Sequence, residues 1–367
     1  MSLKGKGFFI WKVRDCEKGD PAAIAAAAKA AGFTHVLVKI ADGSYAYNID
    51  RERNVDLAAP VVHELKAQGF TVWGWHYVYG NTPVGEASIA IRRLEELELE
   101  GYVIDAEIEY KEPGKVHAAK AFMDKLRQRF PSLPIALSSY RFPTYHPQLP
   151  WKAFLEKCDL NMPQVYWEKS HAPGANLRRC VREFQNLQPV RPIIPTGPAY
   201  TVGGWKPTTT DLDEFFNTCH ELSLPAANFF SWDECRSRTP ELWDHIAAYR
   251  WPESSPTVQD IAQKYITALN SHDLSKVIEL YSPHVVHITS SRTVQGLQGV
   301  REWHRTLLTE LLPNAHFRLT GVSGKGSGRY FTWTALSPRG KVLNGSDAIG
   351  LLGGKIAYHY SQFTVTQ

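Results

Sequence analysis

The sequence predicts a chain of two folds: an α/β barrel of the (β/α)₈ type over residues 1–250, a linker at 251–256, and a smaller α+β domain over 257–367. Three observations carry this. Short apolar strands alternate with helical stretches from residue 7 to 250, eight times over, which is the number and the size of such a barrel. No GxGxxG turn follows the first strand, as a doubly wound open sheet would usually require. Beyond the run Trp251-Pro-Glu-Ser-Ser-Pro256 the pattern changes, with helices first and strands after, and that order belongs to a separate α+β domain.

In order, the strands of the barrel are expected at 7–13, 34–40, 71–79, 102–109, 134–139, 159–167, 191–196 and 226–233. The first helix opens on Asp20-Pro21, a cap followed by proline, and ends at Gly32. The second stops at Gly69, where a glycine suits the left-handed end of a helix. Further helices are expected at 84–100, 116–130, 151–157, 176–187, 212–222 and 240–249. After the linker, helices at 257–270, 274–281 and 299–312 flank an extended piece at 285–289. Strands at 315–322, 329–336, 341–352 and 355–365 follow, separated by Gly- and Pro-bearing turns.

Composition narrows the function. A net charge of +4 on 367 residues is too small to argue for nucleic acid or an anionic membrane as partner. The five cysteines form no CxxC pair, so they read as reduced buried thiols rather than a disulfide framework or a zinc site. No apolar run reaches membrane-spanning length. None of signal-peptide length precedes the first strand, which makes a cytoplasmic setting the default expectation. Nothing calls for a metal or a cofactor. The 11 Trp and 16 Tyr suit sugar rings, although core filling is their commoner use.

The stretch GYVIDAEIEYK, 101–111, is the centre of the functional reading. On a regular strand Asp105, Glu107 and Glu109 would share one face with Val103, the first two about 6–7 Å apart. In a parallel barrel that places them at the C-terminal mouth, where catalytic groups sit. Two such carboxylates cannot both ionise freely, so one is expected to hold a proton and act as a general acid. A solvated acidic edge is the bland alternative. Lys39, inside the barrel, is expected to pair with Asp105 or Glu107. His76 is expected to be hydrogen-bonded rather than a metal ligand. Of the alternating residues 73–79, one set should pack against the helix layer. Asp233 is either an active-site acid or the cap of a following loop helix.

In order, the motifs Lys39-Ile-Ala-Asp42-Gly43, Gly74-Trp75-His76-Tyr77 and Asp105-Ala-Glu107 resemble the glycoside hydrolase family 25 muramidases over about residues 7 to 235. That resemblance implies a carbohydrate-active barrel with Glu107 as general acid. Asp105 would support the developing charge or an acetamido group, and Asp42 would be a further acid. The first strand, Gly7-Phe-Phe-Ile-Trp11, lacks the carboxylate that family carries there. Asn161-Met-Pro-Gln164-Val-Tyr166-Trp167 and Trp232 resemble family 18 chitinases, in which the N-acetyl group of the substrate is the nucleophile. That implies Tyr166 as its hydrogen-bond partner. Together the residue readings and the resemblances nominate Glu107, Asp105 and Asp233 as catalytic, with Asp42, Lys39, His76, Tyr77, Gln164, Tyr166 and Trp232 as substrate-binding.

Residues 256–367 resemble the nuclear transport factor 2-like superfamily with its SnoaL-like members, on ITALNSHDLSKVIELYSPHV, GVREWHRTLL and NGSDAIGLLGGKIAYHYSQF. The resemblance implies a cone around a pocket and a homodimer through its sheet. His287, Trp303, Trp333, Asp347 and Tyr358 are the pocket candidates, with Trp303, Trp333 and Asp347 expected on one cavity. The expected activity is hydrolysis of N-acetylated glycans of peptidoglycan or chitin type. The alternatives are a non-catalytic carbohydrate-binding or scaffold barrel, and small-ligand chemistry in the C-terminal domain.

Overall fold

The computed structural model describes residues 3–251, 260–324 and 326–366. It divides into two compact units, Met1–Glu253 and Ser254–Gln367. Most of the expected linker, 252–256, and the first residues of the helix expected at 257 lie outside the described residues.

In the first unit eight strands close a barrel: β1 (Gly5–Ile10), β2 (His35–Asp42), β3 (Thr71–Val78), β4 (Tyr102–Ala106), β5 (Ile135–Tyr140), β6 (Leu160–Gln164), β7 (Thr196–Pro198) and β8 (Ala226–Phe230). Each pairs in parallel with the next, and β1 pairs with both β2 and β8 to complete the ring. Helices α1 (Pro21–Ala30), α2 (Ala58–Ala67), α3 (Pro83–Glu96), α4 (Lys115–Arg129), α5 (Trp151–Leu155), α6 (Pro173–Gln185) and α7 (Thr209–Glu221) connect consecutive strands, and α8 (Trp232–Arg238) and α9 (Pro240–Ala248) follow the last. The Asp20 carboxylate caps α1 by accepting from the Ala22 and Ala23 amides, which satisfies two of the free N–H groups of the first turn.

Side-chain alternation sorts the strand residues into two layers. Phe9, Leu37, Trp73, Trp75, Val103, Ala136 and Met162 fill the barrel interior. The opposite faces pack against the helices in a larger core that includes Phe8, Val38, Ile104 and Leu137. Trp73 and Trp75 are therefore barrel fillers, and His76 and Val78 are the set turned toward the helices. Gly101, just before β4, makes room for this: a Cβ there would come within 2.1 Å of the Trp73 ring.

Five strand expectations are corrected, among them the first and sixth, which stop at Ile10 and Gln164, each three residues short. Pairing in the seventh strand is displaced toward its end, from 191–196 to Thr196–Pro198, with one earlier bridge at Ile193. The fourth strand stops at Ala106, and Ile108–Lys111 forms a 3₁₀ turn. The eighth stops at Phe230, since Ser231 already starts α8.

The second unit packs α10 (Ile261–Asn270), α11 (Leu274–Ile278) and α12 (Gly296–Thr306) with a six-stranded sheet. Its strands are β9 (Tyr281–Thr289), β10 (Thr293–Gln295), β11 (His316–Ser323), β12 (Gly328–Ser337), β13 (Gly340–Leu352) and β14 (Lys355–Gln362). The order is β10-β9-β14-β13-β12-β11, antiparallel except where β9 meets β14. The short β10 is an element that the sequence pattern did not mark.

Candidate functional site at the barrel mouth

At the C-terminal ends of the strands, register sets the acids in a row. Asp42 on β2 lies beside Tyr77 on β3, and Tyr77 lies beside Asp105 on β4. Glu107 follows β4 directly. The Gln164 side-chain amide, at the end of β6, donates to Asp105 Oδ1 at 2.9 Å and to Glu107 Oε1 at 2.8 Å. One NH₂ group thus holds both acids. This corrects the expected 6–7 Å separation: the backbone leaves the extended conformation at Glu107 (φ −129°, ψ −129°), so its side chain folds back toward Asp105. Glu109 belongs to the 3₁₀ turn and accepts from the Tyr77 hydroxyl at 2.8 Å.

Burial and the neighbouring Glu107 charge push the Asp105 carboxyl well above the ordinary carboxylate range, against the pull of Lys39. Burial also raises Glu107, opposed by its hydrogen bond from Gln164. The pair therefore retains a proton at pH values where exposed carboxylates are ionised. The surrounding phenols are held in their protonated form. Burial raises Tyr140 to about 12, with Glu107 adding to it. Tyr79 is raised to about 12 by burial and by its hydrogen bond to Asp42.

Glu107 opens onto a cleft of about 400 Å³, whose walls include Tyr140, Arg141, Gln164, Tyr166, Glu168 and Tyr200. Across it, the Tyr200 hydroxyl donates to Glu168 at 2.5 Å. Tyr166 and Tyr200 meet edge to face at 5.4 Å, and Phe230 packs against both from the barrel. Tyr140, Arg141, Glu168, Tyr200 and Phe230 were missed by motif reading. A signal was present: β3, β5, β6 and β7 each end in, or within two residues of, a tyrosine.

Several nominated residues are placed elsewhere. Lys39 pairs with Asp42 at 2.6 Å, not with Asp105 or Glu107. The β2–β3 register shifts between Lys39 and Ala41, which brings residues three apart onto one side. The Lys39 ammonium also lies 4.3 Å from the Tyr47 ring centre and 4.8 Å from that of Trp75. Asp42 accepts from the Tyr79 hydroxyl as well. His76 is fully buried toward the helices: its Nε2–H donates to the Gly43 carbonyl and its Nδ1 accepts from Tyr102, both at 2.7 Å. It is not a substrate contact. Trp232 is likewise buried among Phe8, Phe33 and Trp243, because the strand has already ended; Phe230 takes the interior position. Asp233 accepts from the Trp11 amide at 3.4 Å and sits in the first turn of α8, so it ties the end of β1 to that helix. Among the described residues no group of three or more His, Cys, Asp and Glu could hold a metal ion.

In the second unit Trp303 lines a cavity of about 520 Å³ with Thr289, Arg292, Ser361 and Phe363. Trp333 stands behind Phe363, their ring centres 5.3 Å apart. Asp347 does not face the cavity: it is buried, and it is reached through Ser361, whose hydroxyl donates to it at 2.7 Å. His359 contacts its other oxygen at 3.1 Å and the Tyr281 hydroxyl at 2.6 Å. His287 stacks on His359 at 4.4 Å. Tyr358 is exposed on the sheet rather than in the pocket.

Residues 262–359 match the SnoaL-like domain family. The second unit accordingly has the nuclear transport factor 2-like, SnoaL-type fold, and the match covers none of the barrel. Similar solved structures include a SnoaL-like family protein from Agrobacterium tumefaciens str. C58 (21% identity, 30% of this chain and 98% of that one, TM-score 0.26). Others are proteins of unknown function from Cytophaga hutchinsonii ATCC 33406 (11%, 29% and 89%, 0.25) and Burkholderia xenovorans LB400 (10%, 30% and 86%, 0.27), both described as like nuclear transport factor 2. No curated protein matches the chain.

Proposed function

We propose that the barrel hydrolyses glycosidic bonds beside N-acetylated sugars, in glycans of peptidoglycan or chitin type. The observation that carries this reading is the pair of buried Asp105 and half-buried Glu107, bridged by Gln164 on the wall of a tyrosine-lined cleft. Glu107 faces the cleft and gives its proton to the leaving oxygen as the glycosidic bond breaks. The acetamido oxygen of the sugar attacks the anomeric carbon, so no carboxylate is needed on the first strand. Water then opens the cyclic intermediate and returns a proton to Glu107. Asp105, the deeper of the two, leaves the shared proton to Glu107 and steadies the acetamido group as its charge develops. Lys39 and Asp42 neutralise each other to one side.

Release of reducing ends from chitin and peptidoglycan fragments tests this. Glu107→Gln is expected to lower turnover by roughly 10²–10⁴-fold and to leave the melting temperature nearly unchanged. A wild-type protein that binds these glycans without cleaving them would make the barrel a binding module instead.

A second reading, small-ligand binding by the C-terminal unit, is favoured by two buried groups. Both ring nitrogens of His287 and the indole nitrogen of Trp333 have no hydrogen-bond partner among the described residues. Leaving such groups unpaired costs about 1–3 kcal/mol each, which a ligand's polar groups would recover. Quenching of tryptophan fluorescence by carbonyl- or hydroxyl-bearing aromatics, lost in His287→Phe, is the expected result.

A further inference from the structure

On the other side of the acid pair, the ends of β2 and β3 border an open hollow of about 530 Å³, lined by Asp42, Tyr45, Tyr79, Asn81 and Thr82 among others. Strand register sets the residues between the two cavities in one row across the mouth, from Asp42 through Tyr77 and Asp105 to Ser138 on β5, where Tyr140 lies beside Gln164. The wall of the second cavity is built without help from a ligand. The buried Glu86 carboxylate accepts from the backbone N–H groups of Tyr79, Gly80, Asn81 and Thr82, at 3.1, 3.0, 3.1 and 3.3 Å. The Lys115 ammonium donates to the Tyr79 carbonyl and to Asn81 Oδ1, both at 2.8 Å. The Ser44 and Thr82 hydroxyls meet at 2.7 Å. Gly80 has φ +65°, and a Cβ there would come within 2.8 Å of the Tyr110 ring. A wall fixed in this way loses little freedom when something binds to it.

Tyr45 stands at the rim with 71% of its surface exposed, and Tyr145 stands at the far edge of the first cleft with 63% exposed. A fixed cavity whose mainly apolar wall carries the Asp42 carboxylate, the Asn81 amide and the Thr82 hydroxyl, with an open aromatic face beside it, suits the hydroxyls and the apolar face of a sugar ring. We infer that the cavity at the ends of β2 and β3 is a second sugar subsite, with Tyr45 as its stacking platform. The substrate is then a chain of sugars lying across the mouth and cut at an internal bond. This rests on the glycan reading of Glu107 and adds the substrate's length and direction to it.

The test is a ladder of N-acetylglucosamine oligomers, from disaccharide to hexasaccharide. Tyr45→Ala is expected to lower kcat/KM on the hexasaccharide about tenfold, the scale of one aromatic contact, with a loss that shrinks as the chain shortens. Tyr45→Trp should retain the length dependence. An equal loss at every length, or none on the hexasaccharide, overturns the subsite while leaving Glu107 in place. If the wild type cleaves no oligomer, hydrolysis falls, and calorimetry with the hexasaccharide decides the subsite separately. Weaker binding by Tyr45→Ala would then sustain it; equal binding, or none by either protein, would overturn it.

Discussion

Gln164 offers two N–H groups to two acids, so its removal should be read in acidity before it is read in stability. Hydrogen bonds donated to carboxylates favour their charged forms. Gln164→Leu is therefore expected to raise both carboxyl pKa values and to carry the pH–rate profile of kcat/KM toward higher pH, with a reduced maximum. A profile that keeps its position and only loses height would make Gln164 a packing residue. The acid motif around Asp105 was readable from the spacing of carboxylates, but its partner was not. Gln164 lies 59 residues from Asp105, and no local pattern marks one glutamine as the bridge between them. Lys39 makes the same point: a strand register that shifts by one residue gave it Asp42 in place of the acids across the mouth.

At the scale of elements, the loop after β3 depends on one carboxylate. Glu86 in α3 holds four consecutive backbone N–H groups, and it is itself buried. Glu86→Ala leaves those donors unpaired, at a cost of at least about 3 kcal/mol, readable as a lower urea midpoint. The variant should also lose the length preference of Tyr45-dependent turnover. Were its stability to match the wild type, the loop would owe its form to other contacts. The helix and strand count of the barrel follows from periodicity and from caps such as Asp20. Where strands end does not: β4 and β8 stop short of the expected residues, and each stop redirects a nominated side chain. Glu107 folds back to Asp105, and Trp232 goes to the helix layer. Pairing with the neighbouring strands, which a single segment cannot specify, sets those ends.

Across the whole molecule, buried histidines set the response to acid. Burial lowers His35 and His76 in the barrel, and His304 in the second unit, from 6.5 to about 4. Each is neutral when folded and takes up a proton more readily when unfolded. Their contribution is complete above pH 6.5 and is lost as pH falls toward 4, by up to about 3 kcal/mol per histidine. Chemical denaturation at pH 7, 5.5 and 4 should show stability falling in both units over that window. A flat dependence there would mean that these rings are protonated in the folded protein. The sequence by itself determined the number of folds, the eight-unit barrel, the SnoaL-type second unit and the acid-bearing fourth strand, because periodicity and local motifs are properties of contiguous residues. Only the tertiary structure decided which acid meets which partner, that cavities flank the acid pair on both sides, and that His76, Trp232 and Asp233 serve packing and anchoring. Those outcomes depend on strand ends, register and burial, which arise when distant segments pair.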